Sequence, residues 1–501
     1  MRPVNDLVDA PRKPAMRTSA ARQRGQAFLL AVLLLIIGAS ALFYNLATPG
    51  KIDIAKDKVT ADALAQAKAA LIGYAAGVSN LAGGDRPGDL PCPDLNDNGA
   101  PSTPCNTQAS RIGRLPWKTL GLHDLRDGDG ERLWYAVSTN FKDSTRTACA
   151  APGDAGCLNS DARGTITVRN SAGTVVNDGT NPDAYTPSGV IAVIFAPGAV
   201  LQRQDGTLQD RSCTGGSCTA AGVCNVIPYT NTPKCNPINY LDILSGTEDN
   251  ASFTDSSAAD GFINGVIRDA AGNLIVNDRL LTITYNDLML VVQRRVAQEV
   301  LNCLTLYAAV AQNNGRYPWA APATDVTPPY GDAVNTRFGR VPDTFNATFL
   351  GLGSAISTFV CQTLGLTGLC MQSSWPVACG ITQGTWWTNW KDMVFYGVAD
   401  AYKPADPVSA LVGVPAPGGC GSCLTVDPPS ATANKKVVVV VAGKRLSAAN
   451  YATGAGQPRT TALNKQDPTN YLEGTNDNTA TSNTYEVQTI SNSFSDFLLY
   501  Q

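Results

Sequence analysis

Fourteen cysteines and a single histidine frame the chemistry open to this 501-residue chain. One histidine, His123, cannot build a His-rich metal site, and it leaves only one candidate for a Ser-His-Asp or Cys-His arrangement. No G-x-S-x-G elbow and no G-x-x-x-x-G-K-[ST] phosphate loop occurs. No enzyme is therefore expected. The cysteines are too many to stand as idle thiols, and their even number fits disulfides made in an oxidising compartment. Every one is a disulfide candidate: Cys92, Cys105, Cys149, Cys157, Cys213, Cys218, Cys224 and Cys235, then Cys303, Cys361, Cys370, Cys379, Cys420 and Cys423. Connectivity stays open at this level. Cys420-Gly421-Ser422-Cys423 also matches C-x-x-C, but the flanking Pro415, Pro417, Gly418 and Gly419 mark a loop rather than a βαβ redox unit.

Asp94-Leu95-Asn96-Asp97-Asn98-Gly99 opens like a calcium loop, with oxygen donors Asp94, Asn96 and Asn98 at alternate positions. Cys105 stands where a twelfth-position Glu would complete an EF-hand, so calcium is the only cofactor considered, against an Asx-rich turn. Trp375, Trp386, Trp387 and Trp390 form an aromatic group that reads as core packing, or, if exposed, as an adhesive or carbohydrate-stacking surface. Charged residues make up only 16% of the chain and the formal net charge is −3, which excludes a global basic field for nucleic acid.

The elements that would position these residues come in two sets. Val59, Ala63, Ala67, Ala70, Leu71, Tyr74 and Val78 recur at helical spacing, as do Val292, Val296, Val300, Leu304, Tyr307 and Ala311. The segments after the two helices read alike. Arg111-Ile112-Gly113-Arg114-Leu115-Pro116 resembles Arg337-Phe338-Gly339-Arg340-Val341-Pro342, and Arg114-Leu115-Pro116-Trp117 shares R-x-P-W with Arg316-Tyr317-Pro318-Trp319. Buried-strand runs come next at Val190–Phe195 and Val437–Val441, then Asn239-Tyr240-Leu241 and Asn470-Tyr471-Leu472. Finally Tyr285–Leu290 reads like Phe494–Leu499, with Asn286 expected to cap the second helix. A duplicated helix-then-sheet unit is expected over 49–286 and 287–501, each an α+β arrangement.

Ahead of both lies a leader, 1–25, with six basic residues against two acidic ones, and then an uncharged apolar run expected to span a membrane over 26–48. About 21 residues of helix reach roughly 31 Å, enough to cross a bilayer. The charge asymmetry would leave the N-terminus cytoplasmic in an inner membrane, single-pass, with the large C-terminal part periplasmic or extracellular. A secretory signal cut near Ala39-Ser40-Ala41 is the other reading.

Arg22-Gln23-Arg24-Gly25 followed by Gln26-Ala27-Phe28-Leu29-Leu30 resembles the cleavage junction of type IV prepilins and type II secretion pseudopilins. The resemblance spans about the first 80 residues and implies processing between Gly25 and Gln26 by a prepilin peptidase. Leu30 stands where most members carry Glu, a pattern resembling minor or tip-like members. The fold it implies is α+β and disulfide-rich, a long N-terminal membrane helix followed by two tandem pilin-like helix-plus-antiparallel-sheet units. The function it implies is a structural subunit of a type IV pilus or type II secretion filament, with the inner membrane, other pilins or pseudopilins and the assembly machinery as partners. A membrane-anchored or secreted binding protein, adhesin-like and without a filament role, is the alternative.

Overall fold

In a computed structural model, the chain is described over residues 49–77, 86–143, 149, 156–180, 188–204, 206, 208–209, 211, 236–244, 248–252, 254–257, 259–345, 371–382, 386–405, 417–449, 456–477 and 482–501. Helix α1 (Pro49–Gly77) buries Ala63, Leu64, Ala67, Leu71 and Ala75, a spacing of three and four that puts one small-residue face inward. Its first turns, as far as Lys58, belong to a separate unit beginning at Met1; Val59–Gln501 forms one compact unit.

Among the described residues nine strands belong to the first half: β1 (Ile112–Arg114), β2 (Trp134–Val137), β3 (Val168–Arg169), β4 (Val175–Asn177), β5 (Ala192–Ala196), β6 (Phe262–Ile263), β7 (Ile267–Arg268), β8 (Leu274–Val276) and β9 (Arg279–Ile283). The main sheet runs β1-β2-β5-β9, antiparallel throughout. Both faces of β2 and β5 are covered, which is why their sequences are continuously apolar rather than alternating. Tyr135, Val137, Ala192 and Ile194 join the cluster that contains the helices. Trp134, Ala136, Val193 and Phe195 face a small second sheet, β4-β3-β6, in which β3 and β6 pair in parallel.

Helix α2 (Tyr285–Ala309) opens the second half and is followed by β10 (Phe338–Arg340), α3 (Trp386–Trp390), β11 (Val394–Val398), β12 (Leu424–Val426), β13 (Ser430–Lys435), β14 (Val437–Val441), α4 (Ala462–Gln466), β15 (Thr484–Tyr485) and β16 (Phe497–Tyr500). The main sheet, β10-β11-β14-β16, is again antiparallel, and the small sheet, β13-β12-β15, again has one parallel pair, β12 with β15. After each helix a left-handed glycine bonds back to the last helical turns. Gly88, at φ +103°, donates its N–H to the Ala75 carbonyl, and Gly315, at φ +78°, donates to that of Ala308. One apolar cluster holds α1, α2 and residues of both main sheets.

Several expectations are corrected. The architecture is α+β, but none of the four α-helices among the described residues is long and apolar enough to cross a membrane. Lys51, Asp53, Lys56, Asp57, Lys58, Asp62 and Lys68 charge α1, while Asp287, Arg294, Arg295 and Glu299 charge α2. Charges at that density are too costly inside a bilayer. The expected long N-terminal membrane helix, and with it the single-pass inner-membrane placement, is not found among the described residues; the run 26–48 lies outside them.

Two repeated words also change partners. Tyr285–Leu290 starts a helix, whereas Phe494–Leu499 leads into strand β16; the true counterpart of Ser495-Asp496-Phe497-Leu498-Leu499 is Asn277-Asp278-Arg279-Leu280-Leu281. Register proves it: Phe195 faces Leu280 in one sheet and Val440 faces Leu498 in the other. Likewise Ala321 pairs with Arg340 as Asp94 pairs with Arg114, so Arg316–Trp319 corresponds to Asp89–Cys92 and not to Arg114–Trp117. Thr284, not Asn286, caps α2, in a capping box with Asp287 whose carboxylate accepts from the Thr284 N–H at 2.8 Å.

Candidate functional site

The most specific side-chain constellation is one that occurs twice. In the first half the Arg114 guanidinium lies 4.5 Å from the Trp134 ring centroid and 4.1 Å from that of Tyr240, whose ring also carries Arg211 at 5.2 Å. In the second half Arg340 lies 5.1 Å from Phe395 and 5.2 Å from Tyr471, and Arg459 lies 4.8 Å from the same tyrosine. Strand register supplies Arg114 beside Trp134 and Arg340 beside Phe395. Each tyrosine is thus clasped between two guanidiniums, an attraction worth about 0.5–2 kcal/mol per contact.

Around each clasp runs the same hydrogen-bond network. Gln209 accepts from the Leu201 N–H at 3.1 Å and donates to Asp242 at 2.8 Å; Gln457 accepts from the Leu446 N–H at 2.9 Å and donates to Glu473 at 2.9 Å. Arg211 donates to the carbonyls of Gly198, Asn239 and Tyr240, and Arg459 to those of Gly443, Asn470 and Tyr471. Asp242 takes the N–H groups of Asn277 and Asp278 at 2.6 and 3.0 Å; Glu473 takes those of Ser495 and Asp496 at 2.8 and 3.0 Å. Asp278 in turn accepts from the Asp242 N–H and Asn250, and Asp496 from the Glu473 N–H and Asn476. These groups are deeply buried, so each donor and acceptor must be met inside the protein.

Burial sets the acidity of all four carboxyls. It pushes Asp242 up to about 6 against the pull of the Asn277 and Asp278 amides, and raises Glu473 despite its N–H donors. Burial, followed by the neighbouring acid, drives Asp278 and Asp496 well above the usual carboxyl range. Nothing here resembles a catalytic dyad open to substrate, because Asp278 and Asp496 are wholly enclosed.

A second polar group joins the halves. The Leu158 N–H donates to Asn389 Oδ1 at 2.9 Å, and Asn159 Nδ2 to the Asn389 carbonyl at 2.9 Å. Tyr285 donates to the Ser160 carbonyl at 2.8 Å, and Asp161 pairs with Arg459 at 3.0 Å. The first half therefore seats residues 158–161 against the second, with Asp161 reaching Arg459 of its node.

The residues singled out by sequence fall elsewhere. Gly25 and Gln26 lie outside the described residues, as do Cys213, Cys218, Cys224, Cys235, Cys361 and Cys370. Four disulfides are present among those described: Cys92–Cys105, Cys149–Cys157, Cys303–Cys379 and Cys420–Cys423. The C-x-x-C word is thus a bonded pair beside β12. Asp94 turns its oxygens to the N–H groups of Asn96 and Gly99, at 2.9 and 2.6 Å, and Asn98 to that of Ala100 at 2.8 Å. Asp97 pairs with Arg132 at 2.6 Å. Among the described residues no group of three or more His, Cys, Asp or Glu is placed to hold a metal ion. Asp94, Asn96 and Asn98 stand in an Asx-pinned turn. His123 is exposed, and Trp375, Trp386, Trp387 and Trp390 are all buried, so they offer no adhesive face.

Sequence reasoning missed the paired nodes, although a signal was there: Gln-x-Arg occurs at 209–211 and 457–459, and the Asn-Tyr-Leu words each continue into an acid, Asp242 and Glu473. No family model, curated protein or solved structure matches the chain.

Proposed function

We propose that the chain is a pilin-like or pseudopilin-like structural subunit of a type IV pilus or type II secretion filament, presenting a duplicated head. The observation that carries this reading is the repetition of a whole packing unit. Helix, four-stranded antiparallel sheet, small side sheet and buried Arg-Tyr-Arg node recur in the same order. A scaffold repeated down to its buried polar bonds, with its functional-looking groups spent on one another, suits a building block rather than a catalyst. The junction Arg24-Gly25-Gln26-Ala27-Phe28 supplies the second support, since it resembles the prepilin cleavage site. The disulfides agree with an oxidising destination.

Mass spectrometry of the mature N-terminus tests the proposal. A chain starting at Gln26 is expected, together with co-purification of pilus or secretion components. A start at Leu42, or an intact Met1, would overturn it.

A further inference from the structure

The two buried acid pairs share one feature that their hydrogen bonds do not complete. In each half, one acid has donors for both of its oxygens: Asp242 from Gln209, Asn277 and Asp278, Glu473 from Gln457, Ser495 and Asp496. The other acid has donors for Oδ2 alone. Among the described residues Asp278 Oδ1 and Asp496 Oδ1 are buried and receive no donor. A buried carboxylate oxygen without a donor carries a heavy desolvation cost, and protonation removes it by turning the acceptor into an O–H. The same oxygen is orphaned at the same position of both halves, and the Asp496 N–H donates to the Glu473 carboxylate at 3.0 Å.

We propose that Asp278 and Asp496 are held as neutral carboxylic acids, each beside a partner that keeps the negative charge, so that both halves of the fold loosen as these protons are lost with rising pH. The charges facing each pair agree. On the first, the facing cation is Arg211, itself 3.5 Å from Glu131. On the second it is Arg459, already paired with Asp161, which Arg445 also approaches at 3.5 Å. The remaining facing groups, Asn250 in the first half and Asn476 and Ser495 in the second, are neutral. Asp477, next to Asn476, feels Asp467 and Glu486, which add further acid rather than a cation. One cation per pair of acids leaves room for one negative charge.

The sign comes from linkage. The folded protein keeps protons that the unfolded chain releases above about pH 4, so stability is greatest on the acid side and falls as pH rises. Each retained proton raises the unfolding constant by up to about tenfold per pH unit. Asp242, pushed up to about 6, adds its own titration at the acid end of the pH 5 to 8 range.

Denaturant unfolding of the full chain between pH 5 and 8 reads the effect. Asp278→Asn and Asp496→Asn keep shape and an acceptor for the two donors while supplying a fixed N–H. Each is expected to flatten the dependence by one proton, to at most a tenfold change per unit, and to be more stable than the unsubstituted chain at pH 8. Infrared spectra of the unsubstituted protein at pH 7 give a readout that needs no variant to fold: a buried protonated-carboxyl C=O stretch is expected. A flat pH dependence, variants that retain the full slope, or absence of that stretch would overturn the proposal.

Discussion

The two halves share sheet order and buried node, yet they are not equally self-contained. In the first half, Arg211 closes on its own loops, and its charged neighbour is Glu131 of the same half. In the second half the equivalent Arg459 reaches across to Asp161 and so ties the node to the other copy. The helices differ in the same direction. Helix α2 is stapled through Cys303 to Cys379, whereas α1 contains no cysteine. Arg340 is wholly buried and faces Tyr330 as well as Phe395 and Tyr471, while Arg114 lies against Trp134 and Tyr240. A duplicated unit has become asymmetric: the second copy serves as the socket into which the first is docked.

Three sets of substitutions would sharpen or break that contrast. The largest effect belongs to the staple on α2. Its sequence separation of 76 residues corresponds to about 4.5 kcal/mol of unfolded-state constraint, against about 2 kcal/mol for Cys420–Cys423, three residues apart. Paired Cys→Ala replacements in denaturant titrations are expected to rank in that order, and equal losses would remove the special place given to α2. Next comes the cross-half arginine. Arg459→Ala and Arg211→Ala each strand several carbonyls, but the former also forfeits Asp161 and is expected to cost about 1.5 kcal/mol more. A double-mutant cycle with Asp161→Ala isolates that term, and a coupling of zero would mean the halves are not joined there. Smallest is the cap: Thr284→Ala is expected to lose about 1 kcal/mol.

That cap has its own pH signature. Lys68, 2.8 Å away, and Thr284 hold Asp287 below its ordinary range in spite of the raising effect of partial burial. Its contribution is present above the unfolded carboxyl range and fades as pH falls through the lowered value, opposite in sense to the buried pairs. Melting curves at falling pH, compared between the parent and Asp287→Asn, are expected to converge.

Much of the scaffold was open to reading from residue order. The apolar runs at 190–195 and 437–441 coincide with strands β5 and β14, because a strand covered on both faces must be apolar at every position. The three-and-four spacing from Val292 to Tyr307 marks the inward face of α2. What misled were short words taken without their surroundings. Tyr285-Asn286-Asp287 and Phe494-Ser495-Asp496 look alike, yet one opens a helix and the other ends at a buried acid entering a strand. Six similar residues do not choose between helix and strand when propensities differ by well under 1 kcal/mol per residue; long-range pairing chooses.

The sequence by itself determined where apolar faces lie, that cysteines exist only from residue 92 onward, and that no histidine-based metal site could form. Tertiary structure alone decided that Tyr240, well over a hundred residues beyond Arg114, would lie against its guanidinium, and that Asp278 and Asp496 would be sealed from water. The physical reason is that periodicity reports a local average of burial, whereas the environment of a single charge depends on which distant groups the chain brings to it.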